Sequence, residues 1–573
     1  LSRLFFFSSA RQACGFAAGL VLLAASCSES PRQPGNAARV LPRRDPDPVY
    51  FSAERFSRLT HDSLELRRFL GTLPQARPLT EMLLSFYRRR HFQYGWLEGN
   101  ALQPGAQDFY LRYQEFIGDY PDTTLPDPVM DSLLYHLSAE GMPAPADARL
   151  AELDIRLSLA FFRVAGKEFS GIVDKPESLN WYIPRYKKNY PALLDSLASG
   201  HRLSGLREPA SPYYLRLKSA LARYRQLEKP GVWPLIPDTI PKGVVGRRQA
   251  HWLRRCLVLM GDLAPADTLP VRDSVLVNAL KRYQMRMGLT PTGIPDVATL
   301  GRLRVPLQEQ IRQIMVNLER MRWLPEKVSG DFLLVNIPAF TLHVFRKGRP
   351  AWESRVVVGR QMNKTQVFRS KISHVIVNPS WAVPPGIIRK EVLPGIKRYP
   401  GYLGRHRMEV FSGNRRVESA GIDWGRYSGR IPYTIRQVPG YDNPLGRFKF
   451  LFPSSFWIYL HGSSEPWRFG EPVRTFSHGC IRVEKAEELA SLLLAGNAGM
   501  SQTQIRRIFS GKKEAYYRLN RPEPVFVVYL TAWADEAGTL HFRPDVYGRD
   551  PVLCRAVFGG SCPVRATRPV LPR

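Results

Sequence analysis

The spacing of apolar residues changes near Asp331, and that change limits the possible folds more than any other feature of the chain. Upstream, "LTEMLLSFYRRRHF", "DARLAELDIRLSLAFFRVAG" and "PYYLRLKSALARYRQLEK" repeat apolar residues every three or four positions, the period of an amphipathic helix. Downstream, "FLLVNIP", "TLHVFRKGRPAWESRVVVG" and "ISHVIVNPSWAVPP" read as strands, with Lys347-Gly348 as a hairpin turn. "LGRFKFLF" alternates and sets Phe448, Phe450 and Phe452 on one face; "FWIYLHG" is a further strand that delivers His461 at its end. At 573 residues the chain exceeds a single core. The expectation is a multidomain α+β protein. Residues 51–235 form a helical scaffold, and 236–305 a small helical module opened by the break "KPGVWPLIPDTIPKG". Residues 306–329 form a connecting helix bounded by Pro306 and Pro325. A mostly β domain follows at 330–535, then a C-terminal extension at 536–573. From about 394 to 436 the strand pattern yields to Gly- and Arg-rich sequence, which reads as an inserted lid or binding element.

Hydrophobic residues make up 44% of the chain, enough for buried cores. The formal net charge of +32 favours anionic surroundings. Nucleic acid is not the expected partner, because zinc-finger spacing, basic-region heptads and RNA-binding aromatic signatures are missing and the excess is scattered Arg, as in "SFYRRRHF". At the start, Arg3 and Arg11 precede an apolar run from Ala13 to Ala25 that is too short to span a bilayer. Residues 1–27 therefore read as an export signal, and the Pro- and Arg-rich residues 28–50 as a tether. "LLAASC" resembles a lipoprotein processing box with Cys27 as the lipidated residue, the one membrane link expected.

Six cysteines can be sorted by context. Cys14 and Cys27 belong to the targeting segment, and Cys256 in "WLRRCLVLM" reads as a small buried helix residue. Cys554 and Cys562 flank a short Gly-rich tail and are a candidate pair in an oxidising compartment. That leaves Cys480 in "IYLHGSSEPWRFGEPVRTFSHGCIRV", Ile458 to Val483, where polar chemistry is densest. A thiol with a free pKa of about 8.5 needs a base to become a nucleophile. His461 closes a separate strand and can reach Cys480 across the sheet, so it is the expected base. His478 lies two residues from the sulfur and is assigned an orienting role. Gly479 permits a tight turn that aims backbone amides at one point, and the Gly462 carbonyl can fix the imidazole tautomer. Arg482 braces the loop or meets a substrate carboxylate. Zinc on His461, His478 and Cys480 is the competing reading, but it lacks a CxxC pair and a fourth ligand.

"SHGCIRV" with an upstream "YLHG" resembles the signature of the L,D-transpeptidase catalytic domain of YkuD type. "NLERMRWLP", "VNPSWAVPPGII", "GYDNPLGRFKFLFP" and "TAWADEAGTLHFRPDVYGRD" resemble the large multidomain branch of that family, in which a scaffold, a peptidoglycan-binding module and a capped catalytic domain follow in order. Residues Leu280, Tyr283, Gln284, Gly288, Leu289, Gly293, Thr299 and Leu303 match the three-helix binding module, although Thr292 stands where Asp is usual. The resemblance implies that Cys480 attacks the carbonyl after the L-centre of the third stem residue and expels the terminal D-alanine. A neighbouring stem amine then resolves the thioester into a 3→3 cross-link, with no metal or organic cofactor. It implies His461 as base, the Gly462 carbonyl as its partner, an oxyanion hole around Ser477, His478, Gly479 and Cys480, and Trp381 and Trp467 as channel walls under the cap. The implied partners are donor and acceptor peptidoglycan stems, met by a monomer in the periplasm or cell envelope. If water replaces the amine, the same acyl-enzyme gives an L,D-carboxypeptidase or a cross-link hydrolase. A wall-binding protein with an inactive domain is the reading of a different class, and the paired His461 and Cys480 speak against it.

Overall fold

The computed structural model describes residues 57–559 apart from 99–100, 121–123, 140–146, 186–188, 199–210, 235–245, 268–270 and 326–329. The expected signal segment, tether, Cys27 and Cys562 lie outside these. Helices occupy the chain up to Arg322 and strands dominate beyond it, as the change of period predicts. None of the described helices is long and apolar enough to cross a membrane.

The scaffold gathers around the helix Ala148–Ser170, which is apolar on most sides and therefore sits in the middle. Its buried Asp154 accepts from the amides of Gly95 and Trp96 at 2.8 and 2.7 Å and from the Tyr87 hydroxyl at 2.8 Å, and lies 3.0 Å from His61 Nε2. A buried carboxylate is tolerated because its oxygens are taken up in this way. The small module holds three helices, Arg247–Met260, Ser274–Arg286 and Val297–Leu303. Gln284 donates to the Ile294 carbonyl at 2.8 Å and to the hydroxyls of Thr292 and Thr299 at 3.0 and 2.9 Å. The Thr292 oxygen also accepts the Ile294 amide at 3.2 Å, so the turn is held closed with threonine in place of aspartate.

The connecting helix Leu307–Arg322 is buried nearly all round, beyond the single face its periodicity indicates. It is wedged between the scaffold helix Pro212–Leu227 and the β region, so its polar residues need internal partners. Arg322 meets Tyr120, Tyr214 and Glu319 at 2.8, 3.0 and 3.1 Å, and Arg320 meets Asp550 at 2.6 Å.

Eight strands make the ring of the ten-stranded sheet of the β region: β1 Phe332–Asn336, β2 Thr341–Arg346, β3 Arg349–Gly359, β4 Val367–Val377, β5 Phe448–Leu451, β6 Leu460–His461, β7 Ile481–Val483 and β8 Ala515–Val528. Their order is β5-β6-β7-β3-β2-β1-β8-β4, and β4 pairs back onto β5, so the sheet closes into a ring. Val335, Leu342, Val344, Val356, Phe450, Leu460, Ile481 and Val527 belong to its buried core. The β2–β3 turn has Lys347 at φ +52 and Gly348 at φ +76, the left-handed pair of a tight hairpin. The scaffold adds the short strand Trp181–Tyr182 to the free edge of β4.

The insertion is a cap with its own sheet of Arg415–Val417, Met408–Ser412, Thr434–Gln437 and Trp381–Ala382, in that order. It also has its own apolar cluster, including Val383, Ile388, Val392, Leu403 and Ile435. The cap therefore begins near Trp381, earlier than the loss of strand pattern at 394 suggests, because its first residues are apolar and look continuous with β4. The C-terminal stretch is integral: the hairpin Ala532–Ala534 with Leu540–Phe542 and the helix Asp550–Phe558 pack on the connecting helix.

Candidate active site

β6 and β7 run parallel, with Leu460 opposite Ile481 and His461 opposite Arg482. The Ile481 amide donates to the Tyr459 carbonyl at 3.1 Å and prolongs the ladder. Side chains alternate along a strand. Leu460, Ile481 and Val483 turn into the core, so Tyr459, His461, Cys480 and Arg482 share the opposite face. β5 adds Lys449 to that face, opposite His461, while Phe448 and Phe450 go inward.

His461 is only 5% exposed. Burial is the main reason its pKa falls to about 3; the Arg482 and Lys449 cations push the same way, and the carbonyls of Gly462 and Leu445 oppose them. The ring is neutral at physiological pH and able to take a proton. Its Nδ1 makes no hydrogen bond to protein. The Gly462 amide donates to the Phe448 carbonyl at 2.9 Å and fixes the backbone after the ring. Gly446, with φ +62, crosses so close that a Cβ there would lie 2.6 Å from the Ser463 amide nitrogen.

Cys480 is half-buried, with Sγ 3.8 Å from the Trp457 carbonyl oxygen. Burial pushes its thiol up; Tyr459, Lys449 and Arg482 pull the other way without overcoming it. At rest, burial therefore favours a neutral thiol beside a neutral imidazole. Cys256 is buried and free, its thiol pushed to about 12 by burial. Cys554 is disulfide-bonded, and its expected partner Cys562 is outside the described residues.

Gly479 adopts φ +119, a conformation that strains any side chain. Its amide donates to Ser477 Oγ at 3.0 Å, and Ser477 Oγ donates to the Cys480 carbonyl at 2.5 Å. The Gly479 amide is therefore occupied. Among the described residues no protein acceptor takes the amides of His478 and Cys480, which leaves them as the donors next to the sulfur. The Gly479 carbonyl accepts from Thr365 Oγ1 at 2.9 Å, and that oxygen accepts the Gly359 amide at 2.9 Å. Tyr547, from the C-terminal stretch, completes the brace: its hydroxyl donates to the Gly359 carbonyl at 2.5 Å and accepts the Thr365 amide at 3.2 Å.

The His478 ring is taken up elsewhere, with Nε2 2.5 Å from Arg360 Nη2 and 3.6 Å from Glu391 of the cap. Burial and then Arg360 lower its pKa. Arg482 is paired with Glu465, which also reaches Arg468 at 3.4 Å. Burial would raise the Glu465 carboxyl, but the two guanidiniums outweigh it and hold it low. Arg482 is thus spent on the 463–470 loop. Trp381 packs on the cap cluster and pairs with Gln437, whereas Trp467 is 63% exposed. Among the described residues no group of three or more His, Cys, Asp or Glu is arranged to hold a metal ion. Sequence reasoning missed Lys449, Trp457, Tyr459, Thr365 and Tyr547. Alternation in "FKFL" and "YLHG" puts Lys449, Tyr459 and His461 in matching phase, but the pairing that joins them is not written locally.

Three family models match the chain: "L,D-transpeptidase catalytic domain" (YkuD) at residues 330–505, "Scaffold domain" at 81–221 and "Putative peptidoglycan binding domain" at 251–303. A "Putative L,D-transpeptidase" of Haemophilus influenzae is 38% identical over 240 residues, covering 42% of this chain and 48% of the other. The chain thus spans about half the length of that curated relative. Among solved structures, an L,D-transpeptidase from Mycobacterium smegmatis is 13% identical, with 35% of this chain and 59% of the other covered and a TM-score of 0.17. One from Stackebrandtia nassauensis is 14% identical, with 52% and 97% covered and a TM-score of 0.20.

Proposed function

We propose that this chain, whose residues 330–505 match the L,D-transpeptidase catalytic domain of YkuD type, joins peptidoglycan stem peptides through a thioester on Cys480. The supporting observation is the β6–β7 register, which puts His461 opposite Arg482 and so on the same face as Cys480 two residues earlier. His461, neutral because it is buried, takes the thiol proton as the sulfur attacks the carbonyl after the third stem residue. The amides of His478 and Cys480 receive the developing oxyanion. His461 then returns the proton to the departing D-alanine amine. A side-chain amine of a second stem attacks the thioester, the C–S bond breaks, and His461 takes the amine's proton and passes it to the departing thiolate, leaving a 3→3 cross-link and the free thiol.

The peptidoglycan-binding module and scaffold hold the polymer while the cap covers the donor strand. Export through residues 1–27 and anchoring through a lipid on Cys27 complete the reading. Incubation with tetrapeptide-stem muropeptides, followed by mass spectrometry, tests it. Cross-linked dimers that vanish in Cys480→Ala are expected. Shortened stems alone would make the chain a carboxypeptidase, and an unchanged mixture from folded protein would leave only wall binding.

A further inference from the structure

Lys449, on the outer face of β5, β6 and β7, is a cation that the scheme above does not use. Lys449 stands opposite His461 on β5. Its Nζ lies 4.1 Å from the centre of the Tyr459 ring, and that ring is 5.6 Å from the His461 ring. Lys449 is half-buried, and among the described residues no carboxylate lies within ion-pair distance of it. An aliphatic stem held against an aromatic face would serve as well with a neutral tip, so the unpaired ammonium calls for a reason.

We propose that Lys449 stabilises the Cys480 thiolate, its ammonium fixed over the Tyr459 ring on the face where the sulfur emerges. This rests on Cys480 being the nucleophile. The thiolate appears twice in such chemistry, once as the attacking group and once as the group expelled by the acceptor amine. At both moments a negative sulfur forms in a largely desolvated site, where a cation is worth far more than in water. His461 cannot fill the role at rest, because it is neutral.

The other charged groups around the sulfur are accounted for. Arg482, from β7, is bound to Glu465. His478 is bound to Arg360 and faces Glu391. Glu514, just before β8, attracts Lys449, but its oxygens accept from the Ser380 amide and hydroxyl at 3.0 and 2.6 Å and from Tyr516 at 3.3 Å. The ionisation of Tyr459 is pushed up first by burial and then by Cys480. Lys449 is held below the ordinary lysine range by burial, and the sulfur opposes that shift. Lysine and thiolate thus favour one another's charged forms.

The test is the pH profile of iodoacetamide alkylation at Cys480 in the full chain, read on the Cys480 peptide by mass spectrometry. This reads the thiol without turnover, so it stands apart from the outcome of the muropeptide assay. Lys449→Met is expected to move the midpoint up by about one pH unit and to slow alkylation about tenfold below the midpoint. Lys449→Arg keeps the charge and is expected to stay near the parent profile. Thermal melts monitor folding, and Lys449→Gln takes the place of the methionine variant if that one does not fold. Superimposable profiles for the parent and the neutral variants would overturn the proposal. So would an arginine variant shifted as far as the neutral ones, because packing rather than charge would then be at stake.

Discussion

At Gly479 and Thr365 the chain spends backbone freedom and a buried hydroxyl on holding one turn. Gly479→Ala introduces a side chain at φ +119, which costs about 1–3 kcal/mol; a lowered denaturant midpoint and slow alkylation of Cys480 are the expected signs. Thr365→Val leaves the buried Gly359 amide and the Gly479 carbonyl without their hydroxyl, about 1–3 kcal/mol for each group left unpaired. Thr365→Ser keeps both bonds and should restore most of the loss. His461 sets a pH dependence whose sign follows from its depressed pKa of about 3. The unfolded chain binds this proton near pH 6.5 and the folded one only near 3, so its contribution is full above pH 6.5 and is lost as pH falls through that window. The slope is at most about 1.4 kcal/mol per pH unit for one proton. Urea titrations from pH 3.5 to 7 should find a flatter profile in His461→Asn than in the parent chain.

Single elements explain both what was legible and what was not. The strand alternation of "LGRFKFLF" and the isolated Cys480 and His461 stand in the sequence because each is a local pattern tied to a local chemistry. The closure of the ring is not legible, because β4 and β5 are separated by the whole cap and only their pairing in space joins them. "FWIYLHG" reads as a full strand, yet only Leu460–His461 is one, since Trp457 turns through φ +56 and breaks the extended run. Tyr547 escaped for the same reason as the ring: it acts on a turn nearly seventy residues earlier. Its brace makes a prediction at this scale. Tyr547→Phe removes the donor to the Gly359 carbonyl while keeping the ring, so β3 and the 477–480 turn lose registration rather than packing. Slower acylation of Cys480 with a thermal midpoint within a few degrees of the parent is expected, and an unchanged acylation rate would assign the tyrosine to stability alone.

Across the molecule, the connecting helix is where the scaffold and the β ring share a core. Arg322 fills that junction, touching Tyr120 and Tyr214 of the scaffold and the fully buried Glu319 of its own helix. Arg322→Ala leaves that carboxylate with the Val173 amide but no cation, a loss on the order of 3–5 kcal/mol, and calorimetry should see the scaffold and ring lose cooperativity together rather than one alone. The cap is built on the opposite principle. Its first strand lies beside its last, Trp381 against Gln437 and Ala382 against Arg436, so the excursion leaves and returns through one doorway. A chain rejoined across that doorway by a short turn should still close its ring. The cap can therefore be lengthened, trimmed or exchanged over generations without disturbing the ring beneath it.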